Sequence, residues 1–443
     1  MSSSISQSFK PLSLIKYTLP SIIMMVFMAI YTIADGILVS RYLGDSTLSA
    51  LNIAYPVIFI VNGIGIMLGT GGTAIIGKTL GEGKTKEARS HLTFFVVSGV
   101  VIGILIMAIT LLFQTPIARA LGATDSLLPI CKSYMLTCIL FAPITVLQLM
   151  FQCYFSAAGK PNYSLILTIV GGVLNVVLDI FFLGNLHMGV EGAALATGLG
   201  QSILGIFGLC YFAFSKNELC FSNFKPDLIA LGQACFNGSS EMVSNLANAV
   251  VTLLFNLIMM KLAGEAGVAA ITIILYGQFL FNSLHLGFTI GVGPTISYNF
   301  GAKNDKELQN LVKICLTFVA GISIVLAMLA FLSSDVIVGI FVDRSSTTYS
   351  LAASGFAVFS INYLFGGLNI FVSSLFTALS DGKHSAILSF SRTFFWMVVC
   401  LLLLPELFGI TGVWLAVPIA ELMTLFLSVF FLVRKNKSYH YLG

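Results

Sequence analysis

Four acidic side chains stand inside strongly apolar stretches of the sequence, where an ionised group is costly. They are Asp35, Asp179, Glu241 and Glu421. An ionised side chain at the centre of a bilayer costs roughly 3 kcal/mol, so such acids usually face a cavity and take part in function. Burial disfavours the carboxylate form, and a second carboxylate nearby disfavours it further, so these groups are suited to bind and release protons. Hydrogen bonds that only hold helices together are the alternative interpretation.

Helical spacing puts these acids on polar stripes. One stripe contains Tyr31, Thr32 and Asp35, and another contains Thr168, Gly172, Asn175 and Asp179. Three further groups of residues have the same helical spacing. They are Asn52, Tyr55, Phe59 and Asn62; Gly192, Ala196, Thr197 and Gly200; and Glu241, Asn245 and Asn248. In the second half of the chain the equivalents of the two aspartates, 220 positions later, are Phe255 and Val399. Because both are apolar, the aspartates favour a function in the first half over a role in repeated helix packing.

Transmembrane helices must carry these stripes. The chain has 443 residues, of which 57% are hydrophobic and 9% are charged, whereas soluble proteins carry roughly a quarter charged residues. A helix that crosses a bilayer needs roughly 20 apolar residues. Twelve such spans are predicted, at residues 15–40, 50–76, 92–113, 127–156, 163–184, 190–214, 235–260, 267–297, 311–333, 350–379, 385–405 and 409–433. The predicted fold is therefore an all-α polytopic membrane protein.

The two halves of the sequence match each other at an offset of 220 residues. RYLGDSTLSAL at 41–51 aligns with KLAGEAGVAAI at 261–271, and GVEGAALATGLGQ at 189–201 aligns with GITGVWLAVPIAE at 409–421. An even number of spans in each copy implies that both copies enter the membrane from the same side. The predicted organisation is an amino-terminal lobe at 1–214, a linker at 215–227, a carboxy-terminal lobe at 228–433 and a tail at 434–443. Two such lobes can rock about a cleft between them.

Basic residues predict the orientation in the membrane. With the amino terminus inside, 17 of the 22 Lys and Arg residues fall on or near the inner side, and cytoplasmic segments are enriched in these residues. The exceptions are Arg41, Arg119, Lys132, Lys261 and Arg344. We therefore predict a multi-pass protein of the plasma membrane with both termini in the cytoplasm. The net charge of +4 reflects this topology and does not indicate nucleic-acid binding.

Several segments together resemble the multidrug and toxic compound extrusion (MATE) family over almost the whole chain. They are PSIIMMVFMAIYTIADGILVSRYLG, LGEGKTKEA, SAAGKPNYS, NVVLD, GAALAT and YNFGAK. The resemblance implies two six-helix lobes and an antiporter, and not an enzyme. It implies export of lipophilic, often cationic drugs or metabolites by alternating access, coupled to H⁺ or Na⁺. No cofactor is expected.

The resemblance also assigns roles to residues. A proton- or sodium-responsive network in the first lobe is expected at Asp35, Asn175, Asp179 and Thr197, which would also be the ligands of any bound Na⁺. The substrate cavity is expected to contain Tyr31, Tyr134 and Gln152; polar spacing adds Asn52 and Asn62, and Glu241 faces a cationic drug. A bend of the first helix is expected at Pro20. In sodium-coupled relatives the acid of span seven works with one in span ten, but residues 359–376 contain no acid.

Two other functions stay open at this point. A lipid-linked sugar flippase of the same superfamily needs buried Lys or Arg to hold a pyrophosphate, and only Arg392 comes near that position. An integral-membrane enzyme needs clustered histidines, paired acids or a nucleophile with a base, which the sequence does not display. GKTLGEGKT at 77–85 has Lys78 where a phosphate loop needs glycine, so no nucleotide is expected. The expected partners are small molecules and the lipid bilayer, and the expected state is a monomer.

Overall fold

A computed structural model describes residues 7–43 and 45–442, without the side chains of Ser40, residues 45–50 and Asn52. All regular secondary structure in these ranges is helical, which confirms the predicted class. The α-helices are α1 Pro11–Leu43, α2 Asp45–Gly81, α3 Thr85–Leu112, α4 Gln114–Ala120, α5 Leu128–Leu140, α6 Ala142–Ala157, α7 Pro161–Asp179, α8 Val190–Phe214, α9 Leu228–Gly301, α10 Asp305–Leu332, α11 Ser334–Phe341, α12 Thr347–Phe359, α13 Tyr363–Ala378, α14 Gly382–Phe390, α15 Trp396–Phe408 and α16 Ile410–Tyr439.

These helices form the twelve predicted spans. In the described ranges, ten segments are each long and apolar enough to cross a membrane, and the pair α5 and α6, bent by 53°, forms another. The 74-residue helix α9 contributes two spans, because Gly264 interrupts it with φ 62° and ψ −151°. A positive φ of this kind is accessible to glycine and costly for other residues. The six spans of α1–α8 form the first lobe, and the six of α9–α16 form the second lobe.

Backbone features recur 220 residues apart, as expected from the duplicated sequence. Both α2 and α9 end at glycines with this offset, Gly81 and Gly301, and the following helices start at Thr85 and Asp305. Positive φ angles occur at 83 and 303 and again at 189 and 409. The break between α5 and α6 at residue 141 corresponds to the 3₁₀ turn at 360–362 between α12 and α13. The two lobes therefore share one backbone arrangement, although their side chains have diverged.

The first helix of each lobe extends into the core of the other. Phe9, Leu14 and Ile22 pack in a hydrophobic cluster built mainly from the second lobe. Ala230 and Ala234 of α9 pack in a cluster of the first lobe. A movement of α1 or α9 therefore changes the packing of both lobes.

The lobes meet most closely through glycines. A Cβ atom added to Gly81 would overlap the carbonyl oxygen of Tyr298, and one added to Gly301 would overlap that of Lys78. The same holds for Gly238 against the carbonyl of Met67. Only glycine permits such close approach of two helix backbones. We call these contacts the glycine seam.

Both described ends of the chain lie on the face of the molecule next to the glycine seam, called the terminal face below. The backbone N–H of Phe9 donates to Glu307 Oε1 at 2.9 Å, and Gln309 Nε2 donates to the carbonyl of His440 at 2.9 Å. Because both contacts are made to the start of α10, the two ends share one side. The linker lies there too, since Arg89 Nε donates to the carbonyl of Glu218 at 2.8 Å.

A carboxylate in the loop before α14 holds the carboxy-terminal tail on this face. Asp381 caps α14 and accepts hydrogen bonds from His384 Nδ1 at 2.7 Å and from the hydroxyl of Tyr439 at 2.8 Å. Burial acts to raise the pKa of Asp381, but these hydrogen bonds outweigh it and hold the pKa below its usual value. Tyr441 is fully buried beside this loop.

Substitution of Gly301 by alanine is expected to destabilise the protein. The added methyl group must displace the backbone of α2, and overpacking of this kind costs roughly 1–3 kcal/mol, more than the roughly 0.5–1 kcal/mol that alanine gains over glycine in a helix. Gly293 in the same helix is the matched control, since nothing lies within 4 Å of a Cβ added there. Melting of the detergent-solubilised variants should show a lower midpoint for Gly301→Ala only. Equal midpoints for the two variants would contradict the tight seam.

Candidate functional site

The structure brings Asp35, Asn175, Asp179 and Thr197 together in the first lobe; we call these four the acidic cluster. Asp35 comes from α1 and lies next to Asp179 and Asn175 of α7. Asn175 Nδ2 donates to Thr197 Oγ1 of α8 at 3.4 Å. The sequence placed these residues on separate stripes, and only helix packing makes them one group.

Small residues allow the three helices to approach closely enough. A Cβ atom added to Gly200 of α8 would lie 2.7 Å from the carbonyl oxygen of Gly171 of α7, and one added to Gly172 would lie 2.7 Å from the ring of Phe27 of α1. Any larger side chain at these positions would force the helices apart. Gly172 therefore sets how closely α1 approaches α7, the two helices that carry the aspartates.

Several oxygen atoms of the acidic cluster are buried without a hydrogen-bond donor. Asp179 is 0% exposed, and neither of its carboxyl oxygens has a hydrogen-bond partner among the described residues. The same is true of Asp35 Oδ1 and Asn175 Oδ1. Buried polar atoms in proteins are nearly always partnered, and two carboxylates can only accept hydrogen bonds. A proton or a small cation between these oxygens would satisfy them.

A small cavity adjoins the acidic cluster. Its volume is about 20 Å³, and Tyr31, Thr168, Asn175 and Thr197 are among the residues that line it. This volume is sufficient for about one water molecule or small ion. Thr168 Oγ1 and Asn175 Oδ1, both on its wall, have no hydrogen-bond partner among the described residues. The described ranges contain no group of three or more His, Cys, Asp or Glu residues that could hold a metal ion, so any cation here would rely on amide and hydroxyl oxygens beside two carboxylates.

Four tyrosines lie within electrostatic range of Asp35. They are Tyr31, Tyr55, Tyr134 and Tyr276. The rings of Tyr55 and Tyr134 are 6.3 Å apart in an edge-on arrangement. Tyr276 belongs to α9 of the second lobe, so the surroundings of Asp35 include both lobes. Tyr276 could not be identified from the sequence, because no spacing relates it to α1.

The other predicted site residues are more dispersed. Gln152 is buried on α6, and its Nε2 atom lies 3.8 Å from the sulfur of Met28 on α1. Asn62 is half-buried on α2, while the side chain of Asn52 lies outside the described residues. Glu241 is half-buried on α9. The helix α1 continues through Pro20 without a break.

The second lobe contains a polar network of its own. Glu421 is 2% exposed, and its Oε1 accepts a hydrogen bond from Arg392 Nη1 at 3.3 Å. Asn369 Nδ2 donates to Glu421 Oε2 at 2.8 Å, and Ser428 Oγ donates to Asn369 Oδ1 at 2.8 Å. Glu421 therefore has a permanent counter-charge within the protein. Arg392, the one basic residue considered for a sugar pyrophosphate, is already paired with this acid.

Both lobes have a π-helical segment next to a buried charge. Residues 180–185 follow Asp179 in a π-helix, and Arg392 lies within a second one at 391–395. Such segments are rare and occur often at functional sites. Their side-chain geometry differs from that of an α-helix, so the sequence periodicity used above could not reveal the Arg392 to Glu421 contact.

Comparisons with known proteins agree on one family. The MatE family model matches residues 20–181 and again 242–402, once in each lobe. A multidrug export protein MepA from Staphylococcus haemolyticus is 25% identical over 420 residues, covering 94% of this chain and 92% of that protein.

Solved structures show the same fold. The chain is similar to an outward-facing multidrug resistance MATE family transporter of the MOP superfamily, with a TM-score of 0.91 and 21% identity over 98% of this chain and 97% of the other. A MOP superfamily transporter from Pyrococcus furiosus gives a TM-score of 0.89 and 20% identity, covering 98% of this chain and 97% of that chain. Because the family model matches most of the chain, with one match in each half, the chain belongs to the MatE family and is a membrane transporter, not an enzyme.

Proposed function

We propose that this transporter exports lipophilic, often cationic small molecules across the plasma membrane in exchange for H⁺ or Na⁺. One observation carries the proposal: Asp35 and Asp179 lie beside each other, and Asp35 Oδ1 and both carboxyl oxygens of Asp179 are buried without a hydrogen-bond partner among the described residues. Such a pair gains strongly from a proton or cation and loses it readily when water reaches the site. The name of the MepA relatives, multidrug export protein, supports the same activity.

Ion binding is proposed to control the position of α1. With both aspartates ionised, their repulsion disfavours contact between α1 and α7, and a proton or Na⁺ between them removes that repulsion. The start of α1 packs in the core of the second lobe, so the change at Asp35 is transmitted across the lobes. Pro20 lies between these two ends and lacks the N–H group of a normal helix turn, so α1 can bend there.

Alternating access then follows from the two lobes. With the termini in the cytoplasm, as the basic residues predict, the glycine seam closes the cytoplasmic side in the described conformation. Substrate would leave on the opposite side as the ion enters. The protein is proposed to work as a monomer, because each chain contains both lobes. An inward proton gradient of one pH unit supplies about 1.4 kcal/mol, and 100 mV adds about 2.3 kcal/mol for each charge moved.

Substrate recognition is proposed to combine aromatic rings with one acid. Tyr31 and Tyr134 face the region of Asp35, and aromatic faces attract organic cations. Gln152 and Asn62 add polar contacts, with Asn52 expected on the same helix as Asn62. Glu241 is proposed as the acid that receives the positive charge of the substrate.

Replacement of either aspartate by asparagine is expected to abolish coupling. Proteoliposomes that contain Asp35→Asn or Asp179→Asn should move ethidium under an imposed pH or Na⁺ gradient no faster than protein-free liposomes, because the amide cannot bind the ion. Asp125→Asn is the matched control, since Asp125 is exposed and pairs only with Arg119. If both cluster variants keep full gradient-driven transport, the aspartates serve helix packing and not ion coupling. No transport by the unmodified protein under either gradient would refute ion-coupled export.

Removal of the Thr197 hydroxyl is expected to affect Na⁺-driven transport more than proton-driven transport. Na⁺ binds through oxygen ligands, whereas a proton needs only the carboxylates, so Thr197→Val should raise the Na⁺ concentration for half-maximal transport about tenfold. Proton-driven transport should stay within about twofold of the unmodified protein by the same reasoning. Thr272→Val is the control, because among the described residues the Thr272 hydroxyl donates to the carbonyl of Val268 in its own helix and to no other group. Equal loss of transport under both gradients would mean that Thr197 serves packing alone.

A further inference from the structure

Three charged residues of the second lobe have very different partners. Arg392 lies in the π-helical segment 391–395, which contacts both α9 and α16. Helix α16 carries Glu421, and α9 carries Glu241. The arginine is therefore placed between the helices that bear the two acids.

Glu421 is fully engaged by its surroundings. Its side chain is 3% exposed and receives hydrogen bonds from Arg392 and Asn369. Asn369 is held in turn by Ser428 and also donates to the backbone carbonyl of Glu421 at 2.8 Å. The carboxylate is thus held by residues from two other helical segments, and it holds the guanidinium of Arg392.

Glu241 has no comparable partner. No hydrogen bond to its carboxylate occurs among the described residues; only its backbone carbonyl accepts one, from Asn245 at 2.9 Å. Glu241 lies within electrostatic range of Arg392 in the second lobe and of Cys153 on α6 of the first lobe. Glu241 thus interacts with residues of both lobes.

We propose that Glu421 is a positioning residue that holds Arg392 away from Glu241 and thereby keeps Glu241 available for the positive charge of a substrate. The inference rests on the proposed function in taking Glu241 as the substrate acid. Glu421 itself binds neither substrate nor coupling ion. The second lobe needs no ion from solution at Glu421, because Arg392 already occupies it as a tethered cation.

The physical reason is the free-energy cost of a guanidinium group that lies in the membrane without an acidic partner. Arginine stays protonated in proteins, so if Glu421 loses its charge, Arg392 must find another acid or reach water. Besides Glu421, Glu241 is an acid that interacts electrostatically with Arg392. The arginine side chain is long and flexible, and pairing with Glu241 would exclude a cationic substrate by direct competition. An uncharged substrate would be affected far less.

The test measures equilibrium binding of tetraphenylphosphonium and of its uncharged analogue triphenylphosphine oxide to the purified full-length protein. Glu421→Gln is expected to weaken tetraphenylphosphonium binding tenfold or more and to change binding of the oxide by less than threefold. In the double variant Glu421→Gln with Arg392→Met, tetraphenylphosphonium affinity should return to within threefold of the unmodified protein. A double variant as weak as Glu421→Gln, or equal losses for both ligands, would overturn the proposal.

The double variant also tests the proposal if Glu421→Gln does not fold, because it leaves no unpaired charge at the network. A tenfold loss of its tetraphenylphosphonium affinity would mean that the pair itself forms part of the binding site, which contradicts a positioning role. Binding needs no gradient, so a failure of ion coupling does not change these outcomes. In the unmodified background, Glu241→Gln should weaken binding of the cation alone; unchanged binding would refute Glu241 as the substrate acid and this inference with it, while leaving the coupling proposal untouched.

Discussion

The cost of burying a charge in a membrane is the constraint on which this structure depends. The two lobes differ in the partners of their buried acids. In the second lobe, Glu421 is paired with Arg392 and Asn369 within the protein. In the first lobe, Asp35 and Asp179 share a site in which no donor among the described residues reaches their buried oxygens. A duplicated backbone therefore carries one polar core whose buried charges are paired within the protein and one whose buried carboxyl oxygens have no hydrogen-bond donor among the described residues.

Helix α1 links these two environments. Its first turns pack in a cluster of the second lobe, while Asp35, further along the same helix, lies beside α7 of the first lobe. Those first turns also pack tightly against α9, since a Cβ added to Gly287 or Gly291 of α9 would contact Ile22 or Thr18 of α1 closely. The residues that contact the second lobe and the aspartate of the acidic cluster thus belong to the same helix.

Close packing and mobility are combined at the seam. Backbone contacts through glycine bury little side-chain surface, so they hold the lobes together by shape and not by large apolar side chains. Contacts of this kind can separate without exposing a large hydrophobic area to water. The bulky aromatic clusters lie inside each lobe, for example Phe151, Phe155 and Phe212 in the first. Each lobe can therefore stay intact while the contact between them changes.

The sequence by itself determined the class, the twelve spans, the duplication and the polar stripes. Hydrophobic length and helical period are local properties, so they can be read without knowing which helices touch. The sequence also singled out Asp35, Asp179 and Asn175 as costly residues in lipid. It could not show that they meet, because Asp35 and Asp179 are 144 positions apart and the approach of their helices depends on Gly172.

Only the tertiary structure decided which charges have partners. Glu241 and Glu421 look alike in sequence, each an acid within an apolar run. In the fold, Glu421 is bound by residues from two other helical segments, and Glu241 interacts with residues of both lobes without a hydrogen bond to its carboxylate among the described residues. Sequence periodicity also does not predict the π-helical turn that carries Arg392. It does not predict that Tyr276 lies near Asp35 either. Pairing of charges depends on distances across helices, and those distances are set by packing that no single segment encodes.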